Sequence, residues 1–304
     1  MFKIDDRWSV DSWELTVSEI AIIGFGDMGA EIAPHLREGG HAVTVFDADP
    51  ARQSAAGAAG FATAASAAAA AHGADLVLGL VMSQDIPAAY LAADGVLAGV
   101  DAGAVVVVCS TTTPALAAQV AAAAPDRVIV VDAPIVGGVR YARERSVTFL
   151  VGAPEGVFDR VAAVLEVAGK PVHVGGFGAG VDYKLITNVA IMAAEAGLRE
   201  ALDLTDVLGR DYETALRLMS NGPMKAVVER SLDESNPRPL RRSAEDDDTL
   251  LSAVVDADAV LPISSAGRRR LWDAVTVAPG CEPDFVDLTR KTTSRAEFRT
   301  TETN

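Results

Sequence analysis

Ile20-Ala-Ile-Ile-Gly24-Phe-Gly26-Asp-Met-Gly29 decides the fold of this chain. Apolar residues running into glycine read as a short buried strand. The glycines that follow fit G-x-G-x-x-G. Residues 28–37 have helical character, stop at Gly39-Gly40 and contain Pro34 as a candidate kink. Strand, glycine turn and helix in this order form the entry to a dinucleotide site. The first glycine permits the tight turn, the second admits a pyrophosphate against the backbone, and the third packs helix on strand. The helix N-terminus adds N–H donors and a positive dipole end. Gly24, Phe25, Gly26, Asp27, Met28 and Gly29 are therefore expected around the cofactor. The next strand, residues 42–47, ends in Asp47, roughly 20 residues past the last glycine, where a carboxylate can accept hydrogen bonds from a ribose diol. It would also repel a 2′-phosphate, so NAD is expected over NADP. Arg52 keeps NADP as the lesser option.

Further apolar strands are read at 75–82, 104–109, 127–132, 147–151 and 171–174, with alanine-rich helical segments between most of them. The alanine tract at 64–71 reads as a crossover helix, because alanine is a strong helix former. Strands that are apolar throughout and alternate with helices imply a mostly parallel sheet covered on both faces. Beyond residue 178 strand signals fade. A long helix is expected at 180–208, closed by Gly209, with shorter helices near 211–219, 223–232, 247–259 and 262–275. Residues 233–243, polar with two prolines, read as a loop. The expected architecture is α/β: a Rossmann-type doubly wound domain at 19–177, then an all-α domain at 178–290, joined by the long helix. An extension at 1–18 carries Trp8 and Trp13, and a tail at 291–304 is expected to fray.

Composition excludes several function classes. A net charge of −16 opposes nucleic-acid binding, which rests on Lys and Arg. The basic run Arg268-Arg-Arg270 reads as an exposed helix face. Half the residues are hydrophobic, yet no apolar run reaches the roughly 18 residues of a membrane span. The first residues, Met1-Phe-Lys-Ile-Asp-Asp, carry acidic side chains and no hydrophobic h-region, so a secretory signal is not expected. Cys109 and Cys281 read as lone thiols suited to a reducing compartment, so a cytoplasmic location is expected. His35, His41, His72 and His173 show no ligand spacing, and no metal is expected.

The chemistry is read from Gly175-Gly-Phe-Gly-Ala-Gly-Val-Asp-Tyr-Lys184-Leu-Ile-Thr-Asn188. Residues at i and i+4 share a helix face, so Lys184 and Asn188 point the same way. Glycines at the helix start let a cofactor or substrate approach closely. An amine beside an amide in such a space is a candidate acid/base site. Asp132-Ala-Pro-Ile-Val136-Gly137-Gly138 leaves a strand and exposes backbone N–H groups able to hold a carboxylate. Ser110-Thr-Thr-Thr113-Pro114 follows another strand. Its hydroxyls could meet the nicotinamide ribose or substrate, while Thr113 could equally cap a helix opened by Pro114.

In combination and order, these four motifs resemble the β-hydroxyacid dehydrogenase family of the 6-phosphogluconate dehydrogenase superfamily, which includes 3-hydroxyisobutyrate dehydrogenase and tartronate semialdehyde reductase. The resemblance runs from about residue 19 to 290. It implies that Lys184 is the catalytic acid/base, that Asn188 positions the substrate and that Gly137 and Gly138 hold its carboxylate. Thr111 would lie near the nicotinamide, with Ser110 and Met82 in the cofactor set. The helical domain would build a homodimer or homotetramer. Two positions depart from the family pattern: Val136 stands where serine is usual, and Glu245-Asp246 stands where Lys-Asp is usual, leaving Arg241 or Arg242 to replace the missing cation. Asp284 matches a late structural aspartate. The implied reaction is reversible hydride transfer between nicotinamide and the hydroxyl-bearing carbon of a small carboxylated substrate. Burial would lower the pKa of Lys184 from about 10.4. Two other readings stay open: C=N reduction of the imine reductase kind, suited to Val136, and a catalytically inactive cofactor-binding regulatory protein.

Overall fold

The computed structural model describes residues 18–255 and 259–276. The extension with Trp8 and Trp13, Cys281, Asp284 and the tail lie outside the described residues. Nine strands form one sheet: β1 (Glu19–Ile23), β2 (Ala42–Phe46), β3 (Ala62–Thr63), β4 (Leu76–Gly79), β5 (Val105–Val108), β6 (Ile129–Asp132), β7 (Ile135–Val136), β8 (Val147–Gly152) and β9 (Gly169–Gly175). The order is β3-β2-β1-β4-β5-β6-β8-β7, with β9 paired to β8. The run from β3 to β6 is parallel, while β8 lies antiparallel to β6 and β7. Side chains alternate across a strand, and both faces here are buried. Ile20, Ile22, Val105 and Val107 enter one apolar layer; Ala21, Ile23, Val106 and Val108 enter the other.

Helices α1 (Asp27–Glu38), α2 (Pro50–Ala58), α3 (Ala67–Ala71), α4 (Val96–Gly99), α5 (Pro114–Ala123), α6 (Val139–Arg143) and α7 (Glu155–Leu165) cover the sheet. Pro34 lies within α1, which continues to Glu38. The alanine helix is shorter than its tract, because Ser66 accepts from the Ala69 N–H and sets the start at Ala67. Thr113 caps α5 through the Leu116 N–H at 3.2 Å, with Pro114 opening the helix.

The second half is helical: α8 (Ala179–Val207), α9 (Tyr212–Ser220), α10 (Lys225–Ser231), α11 (Leu240–Val254) and α12 (Pro262–Thr276). Here the sequence reading needs correction. Helix α11 starts directly after Pro239, about two turns before the expected 247, and ends at 254. Its buried positions are Leu240, Ser243, Ala244, Asp247 and Leu250. Polar residues at two of those core positions hide the helical apolar period. Leu198, Leu202, Leu216, Val228, Leu240 and Leu271 form the core of this half. Among the described residues no helix is long and apolar enough to cross a membrane.

One carboxylate ties the halves together. Asp132, at the end of β6 and fully buried, accepts from the Gly178 N–H through Oδ1 and from the Val181 N–H through Oδ2, both at 2.7 Å. Burial raises its pKa despite these donors. The glycines around it leave the room: a Cβ at Gly152 would stand 2.3 Å from Asp132 Oδ1, and one at Gly180 would stand 2.1 Å from the Leu150 carbonyl oxygen. Helix α8 therefore starts pressed against the sheet.

Candidate active site

The glycine turn joins β1 to α1. Gly24 has φ +101°, and a Cβ on Gly29 would fall 2.1 Å from the Gly24 carbonyl oxygen, so helix and turn are in backbone contact. Above Gly26 the surface is open, with the Arg52 guanidinium nearest. Asp47 is held rigidly: Oδ2 accepts from the Phe25 N–H at 2.6 Å and Oδ1 from the Asp49 N–H at 2.8 Å. Phe25 is buried, its ring edge-on to Phe61. Phe25 and Gly29 therefore shape the turn from behind. Gly24, Gly26, Asp27, Met28 and Asp47 line a cleft of about 860 Å³, joined further along by Met82, Ser110 and Thr111.

The same cleft continues to the helical half. Lys184 and Asn188 line it from α8, opposite Val136, Gly137 and Gly138. Asn188 is buried, and its Nδ2 has no partner among the described residues. Burial holds the Lys184 amine below the ordinary lysine pKa; Arg238 and Arg230 lower it further, and Asp246 opposes them.

Residues 19–176 match the NAD binding domain of 6-phosphogluconate dehydrogenase. The chain is 37% identical to 3-hydroxyisobutyrate dehydrogenase of Pseudomonas aeruginosa over 197 residues, which cover 62% of this chain and 64% of that protein. It is 34% identical to the NAD-dependent L-serine dehydrogenase of the same organism over 206 residues, 67% of this chain and 69% of that one. The chain belongs to the β-hydroxyacid dehydrogenase family. Its fold matches Mycobacterium tuberculosis 3-hydroxyisobutyrate dehydrogenase, solved with L-serine, at a TM-score of 0.76 and 26% identity, over 90% of this chain and 98% of that one.

The departures from the β-hydroxyacid dehydrogenase pattern now have places. Arg242, not Arg241, reaches the cleft: its Nη2 lies 3.1 Å from Asp27 Oδ2 and its Nη1 lies 3.9 Å from Met82 Sδ. Arg241 instead lies over the Trp272 ring. Of the pair 245–246, Asp246 lines the cleft. Asn236 packs against Gly138, where a Cβ would stand 2.1 Å from its Oδ1, and that oxygen accepts from the Arg140 N–H at 3.3 Å.

Sequence reading missed the far wall. Glu195 is 2% exposed; its Oε1 lies 3.1 Å from Arg238 Nη1 and 3.7 Å from Arg230 Nε. Its Oε2 has no partner among the described residues. Glu195 extends the stripe of Lys184 and Asn188 along α8, and that spacing was the available signal. Arg238 sits between two prolines in a segment whose polarity suggests a solvated loop; instead it donates to Ser243 Oγ at 2.7 Å and pairs with Glu195.

Behind this wall Asp247 is fully buried, and neither oxygen has a partner among the described residues. Burial, then Asp246 and Glu195, push its carboxyl up to about 7. Because the folded value lies above the unfolded one of about 3.9, the stabilising contribution is full below pH ~4 and is lost as pH rises through ~7. Asp247→Asn should therefore raise the melting temperature at pH 8 by the equivalent of up to ~4 kcal/mol, with little change at pH 4. Thermal unfolding at both values checks this, and equal shifts would refute it.

Proposed function

We propose that this protein is an NAD-dependent oxidoreductase that moves hydride reversibly between nicotinamide and the hydroxyl-bearing carbon of a small carboxylated substrate. One observation carries the reading: Lys184 and Asn188 share a cleft with the glycine turn and Asp47. NAD, when bound, supplies the hydride chemistry, and the protein supplies orientation and proton transfer. Gly24, Gly26 and the start of α1 would hold the pyrophosphate, and Asp47 the adenosine ribose. In oxidation Lys184 takes the hydroxyl proton; in reduction it returns one to the carbonyl oxygen. Its lowered pKa makes the free amine available nearer neutrality. Asn188 offers Nδ2 as a donor to the substrate oxygen beside it. Arg242 closes the cleft over Asp27 and Met82 in place of the family's lysine. Exposed Tyr183, Ile186, Leu204 and Val207 on α8 support a homo-oligomer, and the buried free thiol of Cys109 supports a reducing, cytoplasmic setting.

The test is NADH formation with 3-hydroxyisobutyrate, L-serine and L-homoserine, beside NADH consumption with a cyclic imine. Turnover of at least one hydroxy acid is expected. Imine reduction alone would replace the reading with C=N chemistry, and no turnover of any kind would replace it with a cofactor-binding regulator. NAD should exceed NADP in kcat/KM by about tenfold, or ~1.4 kcal/mol. A reversed preference would remove Asp47 from its role.

A further inference from the structure

We propose that Asn236 is a positioning residue for the substrate: from the helical half it caps α6, and so fixes the Gly137–Gly138 turn in the shape that receives the substrate's carboxylate. The inference rests on the reading that this turn is the carboxylate's seat.

Helix α6 opens without a cap of its own. Gly138 stands at its N-cap and has no side chain to accept from the first backbone N–H groups, which a helix leaves unpaired. Asn236 supplies the missing acceptor from 96 residues beyond Arg140: its Oδ1 accepts from the Arg140 N–H at 3.3 Å. Arg140 is the second residue of α6, where an N-cap side chain ordinarily bonds. The backbone of Gly138 (φ −124°, ψ −169°) is extended and open to any residue. Glycine is needed there for another reason. An added Cβ would stand 2.1 Å from Asn236 Oδ1 and 2.9 Å from its Cγ and Nδ2. The bare N-cap and the buried asparagine are therefore complementary halves of one cap.

A second contact grips the same arginine. Arg140 Nη1 donates to Asp233 Oδ2 at 2.8 Å. The Asp233 carbonyl accepts from the Asn236 N–H at 3.2 Å, and its Oδ1 accepts from Ser235 Oγ at 2.6 Å. One turn of the helical half thus holds Arg140 by its backbone and by its side chain. Gly137, at φ +127°, and Gly138 precede it, and successive glycines are the loosest backbone a chain offers. Val136 supplies no hydroxyl, so the carboxylate depends on the N–H groups of that turn. Donors ordered in advance bind more tightly than donors that must be ordered on binding.

The full chain is compared with Asn236→Ala, Gly138→Ser and the double variant. Kinetics use NAD with whichever of 3-hydroxyisobutyrate and L-serine is turned over, calorimetry measures NAD binding, and hydrogen exchange follows the amides of residues 137–143. Asn236→Ala should raise KM about tenfold while kcat stays within about threefold and NAD binding is retained. Gly138→Ser should also raise KM, because its Cβ displaces Asn236. In the double variant the serine hydroxyl caps α6 from its own N-cap and the alanine clears the space, so most of the loss in KM should be recovered. Exchange at 137–143 should quicken in each single variant and slow again in the double. An unchanged KM in Asn236→Ala, a fall in kcat without a rise in KM, or a double variant carrying the full effects of both changes overturns the proposal. If neither acid is turned over, hydride transfer is the reading that fails. Exchange then decides the cap: quickening and recovery support it, and no change in Asn236→Ala overturns it.

Discussion

Lys184→Ala is expected to lower kcat by about 10²- to 10⁴-fold, the range for losing a positioned acid/base group, while NAD binding at the glycine turn stays near that of the unaltered protein. The amine stands on the cleft wall with Asn188, its pKa lowered chiefly by burial. Lys184→Arg is the sharper variant. It keeps the positive charge, but a guanidinium does not give up a proton at working pH. If charge alone mattered, arginine would preserve activity; if proton transfer matters, both variants fall together, and the pH–rate limb assigned to the amine disappears. Steady-state kinetics with the best substrate, paired with NAD titration, decides. Unchanged turnover in Lys184→Ala would remove the lysine from the mechanism.

Asp132→Ala should cause the largest loss of stability, about 2–5 kcal/mol, because it leaves two buried N–H donors at the start of α8 without an acceptor. It also opens a hole between Gly152 and Gly180, which exist to admit that carboxylate. Asp132→Asn should recover part of the loss, since its single carbonyl oxygen can serve one donor and its amide hydrogens oppose the other. Denaturant unfolding measures both. A cost below about 1 kcal/mol for alanine would mean that water replaces the carboxylate easily and that α8 is anchored elsewhere.

The dinucleotide half was legible because its signals are local. Apolar strands, the glycine turn and Asp47 sit in short contiguous patterns, and the sheet is mostly parallel, as expected, with β8 antiparallel to β6 and β7. Strands β3 and β7, two residues each, are too short for any periodicity to mark. Lys184 and Asn188 were readable as one helix face beside a glycine-rich entry, from spacing and glycine pattern together, while their proposed roles came from the resemblance. Arg230 and Arg238 were not, because each reaches the cleft through tertiary packing from segments whose composition suggests solvent; Asp246 was singled out through the resemblance alone. Asp132 was read as the opening of a substrate loop, and its role in seating α8 is visible once Gly178 and Val181 are placed around it. Helix α11 was misjudged at its start for a related reason: Ser243 and Asp247 occupy core positions that a pattern reading assigns to the surface.

The seating of α8 also sets how errors spread along it. Treated as a rod pivoting at Ala179, the helix places Lys184 about 7.5 Å and Glu195 about 24 Å from the pivot at 1.5 Å per residue. A tilt of about 5° then moves the first by ~0.7 Å and the second by ~2 Å along the same rod. On the proposed reading, the proton-transferring lysine sits near the fulcrum, where small rearrangements barely register, while the cleft wall at Glu195 sits towards the swinging end. Under that reading, substitutions in the helical half would reshape the far cleft wall while leaving the position of Lys184 almost still, so a lineage built on this lever could alter what the cleft admits without first disturbing the lysine.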